Sequence, residues 1–531
     1  MSKKLFALSL VSLCVLSSSS FSLISSSSKN IKRAKEERSF EGQVLNIYNS
    51  EDYICDTDGD VIGIIDGFEE LTGATVNYYT FDTNETMYNQ FILQKDAYDL
   101  MCTSDYVIQK LVKEDYIQPF NFDNIPSYRD YASPELRKRL SNMIVTTKDG
   151  TKKVDDYAVG YMWGTLGIIY DPEYISREDV KSWDVFWNKD YYKQIQVKNS
   201  MRDTYVIGIM HAYKDELLTN KEKYLNGEIS VDQYSAEIQR IFDLHEKEDI
   251  EMVKKELMSL KENIYGFEVD SGKNDIITGK AKMSLQWSGD AVYSIDVALE
   301  QADKVLEYAI PEEGSNIWYD CWVMPKGANV ELAEAFLDYI STPESAAKNM
   351  DYVGYTPFIG GEDIFELALD YYGCREFDEE VWNEVDDAVY KDGDFYYCIK
   401  DVDQEGIDVT NEEYFEKMDE EEYPEPFDIS YFFGDTLDYP AIIYPYPGCE
   451  NQLECQYPSE EIISRCANMN DFGDANADVI IMWGEIKAYT NMTPYYVFLI
   501  SFIGVVGGIA IFFFIKDRTS LRYKRKKASR K

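Results

Sequence analysis

The chain has 531 residues, too many for one compact core, so two or more lobes are expected. Its 97 acidic residues outnumber 52 basic ones, for a formal net charge of -45; this argues against nucleic acid as a partner, because phosphate contacts need Lys and Arg. The same surplus attracts small cations, and 45% apolar content with 15% aromatics excludes a disordered chain.

The first residues, MSKKLFALSLVSLCVLSSSS, carry Lys3 and Lys4, an apolar run from Leu5 to Leu16, and then small residues. This pattern predicts a secretory signal over 1–28 with cleavage in the Ser-rich stretch. Residues 29–42 are charged and unpatterned and read as a linker. Beyond them VLNIYN (44–49) predicts a strand, VIGIIDGFEELTG (61–73) a helix closed by Gly73, and ATVNYYT (74–80) a second strand. NETMYNQFILQ then predicts a helix, YDLMCT (98–103) a buried strand, and DYVIQKLVKE another helix. Such alternation means βαβ units and a mostly parallel sheet, with ligands expected beyond the C-terminal strand ends. Polar and aromatic residues stand there: Ser50, Glu51, Asp52 and Tyr53 after one strand, Ser104, Asp105 and Tyr106 after another.

A second alternating region follows YAVGYMWGTLGIIYD (157–171) and runs to about residue 315. It holds a long helical stretch over 230–264 and the strand-like AKMSLQW (281–287). In GSNIWYDCWVMPKG (314–327) the carboxylate of Asp320 sits between Trp318, Tyr319 and Trp322, a pattern that suits an organic cation walled by rings. Residues 363–475 turn acidic, Tyr-rich and irregular, and read as an insertion or appended subdomain. Five of the nine cysteines fall there, with Cys449 and Cys455 near enough for a small closed loop; Cys55, Cys102 and Cys321 read as buried thiols. Residues 495–515 carry no charge. At ~1.5 Å per residue they would cross a hydrocarbon core of about 30 Å as a transmembrane helix. The basic tail 516–531 then places the preceding chain outside the cell.

Catalytic signatures are missing. The two histidines, His211 and His245, have no metal or triad companion in sequence, and there is no G-x-S-x-G elbow, P-loop or Rossmann glycine set. With this many carboxylates, acid pairs that could serve a glycosidase distinguish nothing.

Seven blocks occur in a telling order: VLNIYNSEDYI, YDLMCTSDYVIQKL, YMWGTLGIIYD, SMRDTY, LQWSGDA, PEEGSNIWYDCWVMPKGA and VGYTP. Over roughly residues 43–362 the chain resembles the spermidine/putrescine-binding proteins of polyamine ABC importers. The resemblance implies an α/β, two-lobed periplasmic-binding-protein-like fold (type II) with crossing hinge strands. Lobe one would comprise 43–160 and 318–362, and lobe two 165–315. It further implies a receptor that needs no cofactor and is not an enzyme, handing polyamine to an ABC permease and its ATPase. The ligand-binding residues it implies are Tyr53, Ser104, Tyr106, Asp203, Trp287, Trp318, Asp320 and Tyr355. Two positions depart from the family pattern: Ser50 where Trp is usual, and Ser200 where an acid is usual. Glu51 and Asp105 are candidate substitutes. Taken singly, Trp287 and Trp318 also fit core packing, Tyr355 a turn, and Asp203 a helix cap or an Arg202 partner. The competing classes are a surface interaction or sensory protein on the same scaffold, and a receptor for another organic cation or a metal.

Overall fold

The computed structural model describes residues 39–489, apart from 60, 269–270, 303, 378–387, 392–393, 398–425 and 446–448. The signal stretch 1–28 and the apolar stretch 495–515 therefore lie outside the described residues. Among the described residues no helix is long and apolar enough to cross a membrane.

The alternating first region folds as its periodicity requires. Strand Val44–Ser50 pairs in parallel with Thr75–Phe81 on one side and Leu100–Ser104 on the other. Helix Ile64–Thr72 connects the first two strands, and Gly73 ends it in the left-handed conformation, at φ 75°, that glycine takes without steric cost. A second parallel set lies at the far end of the same sheet, where Ile195–Lys198 is flanked by Met283–Trp287 and Gly266–Glu268.

Two long antiparallel strands join these sets. Val159–Tyr170 and Ser315–Pro325 run side by side through the middle of the sheet, so that its order passes from the first set through both to the second. Every residue of Val159–Tyr170 is buried. Val159, Met162 and Trp163 belong to the first hydrophobic core, whereas Leu166, Ile168 and Tyr170 belong to the second. One continuous strand thus carries a piece of each core, covered on both faces, which explains why no charged residue stands in it.

The late part of the chain enters both cores. Phe432 stacks on Trp163 at 6.1 Å between ring centroids, and Gln456 O accepts from Thr356 Oγ1 at 3.0 Å. Cys466–Ala467 adds a short parallel strand beside Ser315 and Asn316. Helix Asn476–Ala488 then places Val479, Met482, Trp483 and Ile486 in the second core.

Two expectations need correction. The helical stretch 230–264 is two helices, Val231–Phe242 and Lys247–Asn263. The break falls where Glu246 and Asp249 form a reciprocal capping box and where the Asp243 carboxylate accepts from Asn470. The small Cys449–Cys455 loop is not closed, since Cys455 is a free, buried thiol. Cys55, Cys102 and Cys321 are likewise free and buried.

Removing a large ring from the second core leaves a cavity that the surrounding helices only partly fill. Trp483→Ala is expected to cost about 3–5 kcal/mol and to lower the urea midpoint. An unchanged midpoint would show that Asn476–Ala488 is a dispensable appendage.

Candidate ligand-binding site

Alternation along Ser315–Pro325 builds the centre of the site. Ile317, Tyr319 and Cys321 point into the core, whereas Trp318 and Asp320 are only partly covered and share the other face. Asp320 lies opposite Ser104 on one neighbouring strand and Met162 on the other. A register shift follows, because Cys321 pairs with Gly160 and leaves Tyr161 as the extra residue. Bulges of this kind re-aim side chains. Here the Tyr161 hydroxyl donates to Tyr53 O at 2.7 Å, and the two rings meet edge to face at 5.5 Å.

Asp320 is held by neutral donors. Ser104 Oγ donates to Asp320 Oδ1 at 2.6 Å, and the Tyr53 hydroxyl donates to Oδ2 at 2.9 Å. Burial pushes the Asp320 carboxyl above its ordinary range, and these two hydrogen bonds only partly offset that. Burial likewise raises the Tyr53 phenol, with Asp320 adding to the effect, so Tyr53 stays a donor. No Lys, Arg or His nitrogen lies within ion-pair distance of Asp320 among the described residues.

Rings surround this carboxylate. Tyr355 packs edge-on against Tyr53 at 6.2 Å and against Trp318 at 5.4 Å. Two glycines permit the approach. A Cβ on Gly164 would lie 2.6 Å from the Trp318 ring, and one on Gly289 would lie 2.6 Å from the Tyr355 ring. Tyr53, Ser104, Trp318, Asp320 and Tyr355 therefore form one cluster.

From Tyr355 the polar chain continues into the second half. Its hydroxyl donates to Asp290 Oδ1 at 3.2 Å, and Asp290 Oδ2 accepts from Lys198 Nζ at 2.9 Å. Lys198 is 2% exposed, sits 3.4 Å from Glu268 Oε1, and places its ammonium 4.5 Å from the centre of the Trp287 ring. Burial opposes the Lys198 charge, yet Asp290 and Glu268 together hold its pKa above the ordinary value. Burial also opposes charge on Asp290, but Lys198 and Lys273 outweigh it and lower that carboxyl; for Glu268 burial prevails and the carboxyl is raised. Asp290 is thus the principal counter-ion.

Asp203 lies beside Trp287 in the first turn of helix Met201–Ala212. Its carboxyl is raised by burial and eased by hydrogen bonds from Ser200 and the Trp287 indole. Ser200 caps this helix, its Oγ accepting from Asp203 N at 3.3 Å.

The remaining candidates stand apart. The Tyr106 ring is covered by the Arg202 guanidinium at 3.8 Å, and its hydroxyl donates to Glu85 at 3.2 Å. Arg202 itself donates to the Met469 and Asn470 carbonyls at 2.7 and 2.6 Å, tying the late chain to both halves. Ser50 is bonded through its backbone N–H to its neighbour Asn49, and Glu51 is exposed in the turn that follows. Asp105 is buried and accepts from Tyr106 N at 2.6 Å and from Asn468 Nδ2 at 3.2 Å. Lys198, Glu268, Asp290, Tyr161 and Asn468 were missed from sequence. Lys198 ends a strand and Asp290 stands in LQWSGDA, positions where the strand-end rule could have flagged them.

Two α/β halves joined by crossing strands, with a ring-lined acidic seam between them, define a two-lobed solute-binding protein. Residues 63–361 match the model of the bacterial extracellular solute-binding protein family, and the chain belongs to that family. Its members are substrate-binding proteins of ABC transporters, and this chain is a binding protein rather than an enzyme. A spermidine/putrescine-binding periplasmic protein of Salmonella typhimurium is 25% identical over 370 residues, covering 68% of this chain and 92% of the relative. A putrescine-binding periplasmic protein of Pseudomonas aeruginosa is 26% identical over 324 residues, covering 59% of this chain and 78% of its own. A solved Listeria monocytogenes structure assigned to a spermidine/putrescine ABC transporter has a TM-score of 0.53 at 22% identity. It covers 85% of this chain and all of its own, and bears on the fold alone. The resemblance read from the seven ordered blocks agrees with these relatives.

Burial lifts the Asp105 carboxyl to about 7, against the easing effects of Arg202, Tyr106 N–H and Asn468. The folded state therefore keeps a proton that the unfolded state loses, and stability falls as pH rises from about 4 through 7. The loss is at most about 4 kcal/mol. Asp105→Asn is expected to flatten this slope, read as urea midpoints at pH 5 and pH 8. Equal slopes in both proteins would contradict the assignment.

Proposed function

We propose that the chain is the polyamine receptor of an ABC importer, binding spermidine, putrescine or both and delivering them to a permease and its ATPase. The carrying observation is the Asp320 carboxylate, bonded only to Ser104 and Tyr53 and flanked by Trp318 and Tyr355. A partly buried carboxylate without a cation is costly. An ammonium group removes that cost through a charge-assisted hydrogen bond, while the rings cover the methylenes and add ~0.5–2 kcal/mol each of cation–π attraction. The names of the Salmonella and Pseudomonas relatives support the same ligand class.

In this reading Tyr53, Ser104, Trp318, Asp320 and Tyr355 bind from lobe one and the crossing strand, with Asp203 and Trp287 on lobe two. Lobe one comprises 43–160 and 318–362, and lobe two 165–315. Tyr106 contributes only if Arg202 leaves its ring. Ser50, Glu51, Asp105 and Ser200 have secondary parts at most. Ligand shifts the molecule toward the closed state by bridging acids that repel one another when the cleft is empty.

Titration of the purified full chain with putrescine, spermidine and spermine by calorimetry tests the reading. Binding of at least one is expected, and Asp320→Asn should weaken it by roughly tenfold or more. No heat with any of the three would end the polyamine assignment.

The reading also includes a tether: residues 495–515 as a membrane helix, with 516–531 in the cytoplasm. A chain ending at residue 490 is expected in the medium or soluble fraction, and the full chain in the membrane fraction. Recovery of both in the soluble fraction would remove the tether.

A further inference from the structure

Five carboxylates line the seam between the halves: Asp105, Asp203, Glu268, Asp290 and Asp320. Four of them already face cations. Lys198 lies 2.9 Å from Asp290 and 3.4 Å from Glu268, Lys273 lies 3.4 Å from Asp290, and Arg202 acts on Asp105 and, together with Lys198, on Asp203. Asp320 is bonded to the neutral donors Ser104 and Tyr53 and has no cationic nitrogen within ion-pair distance among the described residues. One carboxylate thus remains for a ligand nitrogen.

Lys198 also occupies the aromatic part of the second half. Its ammonium lies over the Trp287 ring and next to Asp290, which Tyr355 touches from the other half. A primary ammonium between two carboxylates and above an indole is the arrangement expected for one end of a bound polyamine. Here the chain supplies that end from its own side chain, fixed at the C-terminal end of strand Ile195–Lys198. Lys198 is 2% exposed, so its ammonium is held among protein groups rather than in water. An incoming third ammonium would meet a fixed positive charge rather than a free acid, a repulsive element that discriminates among ligands by their charge.

We propose that Lys198 is a built-in ammonium that restricts the cleft to short diamines and excludes triamines and tetra-amines. This rests on the polyamine reading above and names the substrate class within it. Lys198 is a specificity residue whose charge takes the place of a further ligand nitrogen, while Asp320 receives a nitrogen of the diamine.

The test is competition calorimetry of the full chain with putrescine, spermidine and spermine. The wild-type protein is expected to bind putrescine at least about tenfold more tightly than either longer amine. Lys198→Met should shift that ratio by about tenfold or more toward spermidine, and Lys198→Arg, which keeps the cation, should hold the diamine preference. Loss of thermal stability in Lys198→Met would accompany a purely structural role as well, so the affinity ratio is the deciding readout. If that variant does not fold, Lys198→Met with Glu268→Gln removes one of the stranded acids and serves instead. Wild-type protein that binds spermidine or spermine as tightly as putrescine overturns the inference while leaving the polyamine reading intact. So does a folded Met variant with an unchanged ratio. Absence of binding to all three overturns both.

Discussion

A carboxylate with no cation within ion-pair distance among the described residues, set on a strand shared by two halves, is the constraint around which this molecule is arranged. Asp320 must be reached by Ser104 from one side and Tyr53 from above, because each of its oxygens needs a donor once water is partly excluded. Those donors hold the strand end Leu100–Ser104 and the loop carrying Tyr53 against the crossing strand. The bulge at Asp320 and Cys321 completes the arrangement by bringing Tyr161 under Tyr53. Packing satisfies the oxygens but puts no cation within ion-pair distance among the described residues, and in the proposed reading that residual field is what a ligand meets.

The second half solves the same electrostatic problem differently. Its acids Glu268 and Asp290 are deeper, and the chain neutralises them internally with Lys198. A buried ion pair of this kind contributes little net stability, since desolvation of both partners offsets their attraction. Its consequence is geometric: Asp290 is fixed where Tyr355 can reach it, so the two halves share a hydrogen bond directly beside the Trp287 and Trp318 rings. The late segment adds a second tie, with Asn468 donating both to Asp105 and to Ile317 O while Arg202 holds the next two carbonyls. These contacts make residues 468–470 a tie between the two halves.

Much of the scaffold was legible because its signals are local. The βαβ alternation of residues 44–113 and the helix-closing glycine at 73 each reflect a period or conformation that short stretches impose by themselves. The break at 243–246 was not, since its capping groups sit inside a helical pattern and one partner, Asn470, arrives from more than two hundred residues away. Among the proposed ligand residues, the close pair Trp318 and Asp320 could be placed on one face from strand alternation alone. Tyr106 looked equally suited, yet Arg202 occupies its ring, a contact between residues remote in sequence that no spacing announces.

By itself the sequence determined the class of fold and pointed to Asp320 among its rings, because alternation, strand ends and ordered blocks are written within short windows. Tertiary structure alone decided that Asp320 has no cation within ion-pair distance among the described residues, that Lys198 lies over Trp287, and that the chain from Ala467 to Ile486 enters the second core. The physical reason is range. A charge is neutralised by whatever folds to within a few ångströms of it, and in this chain those neighbours lie tens to hundreds of residues away.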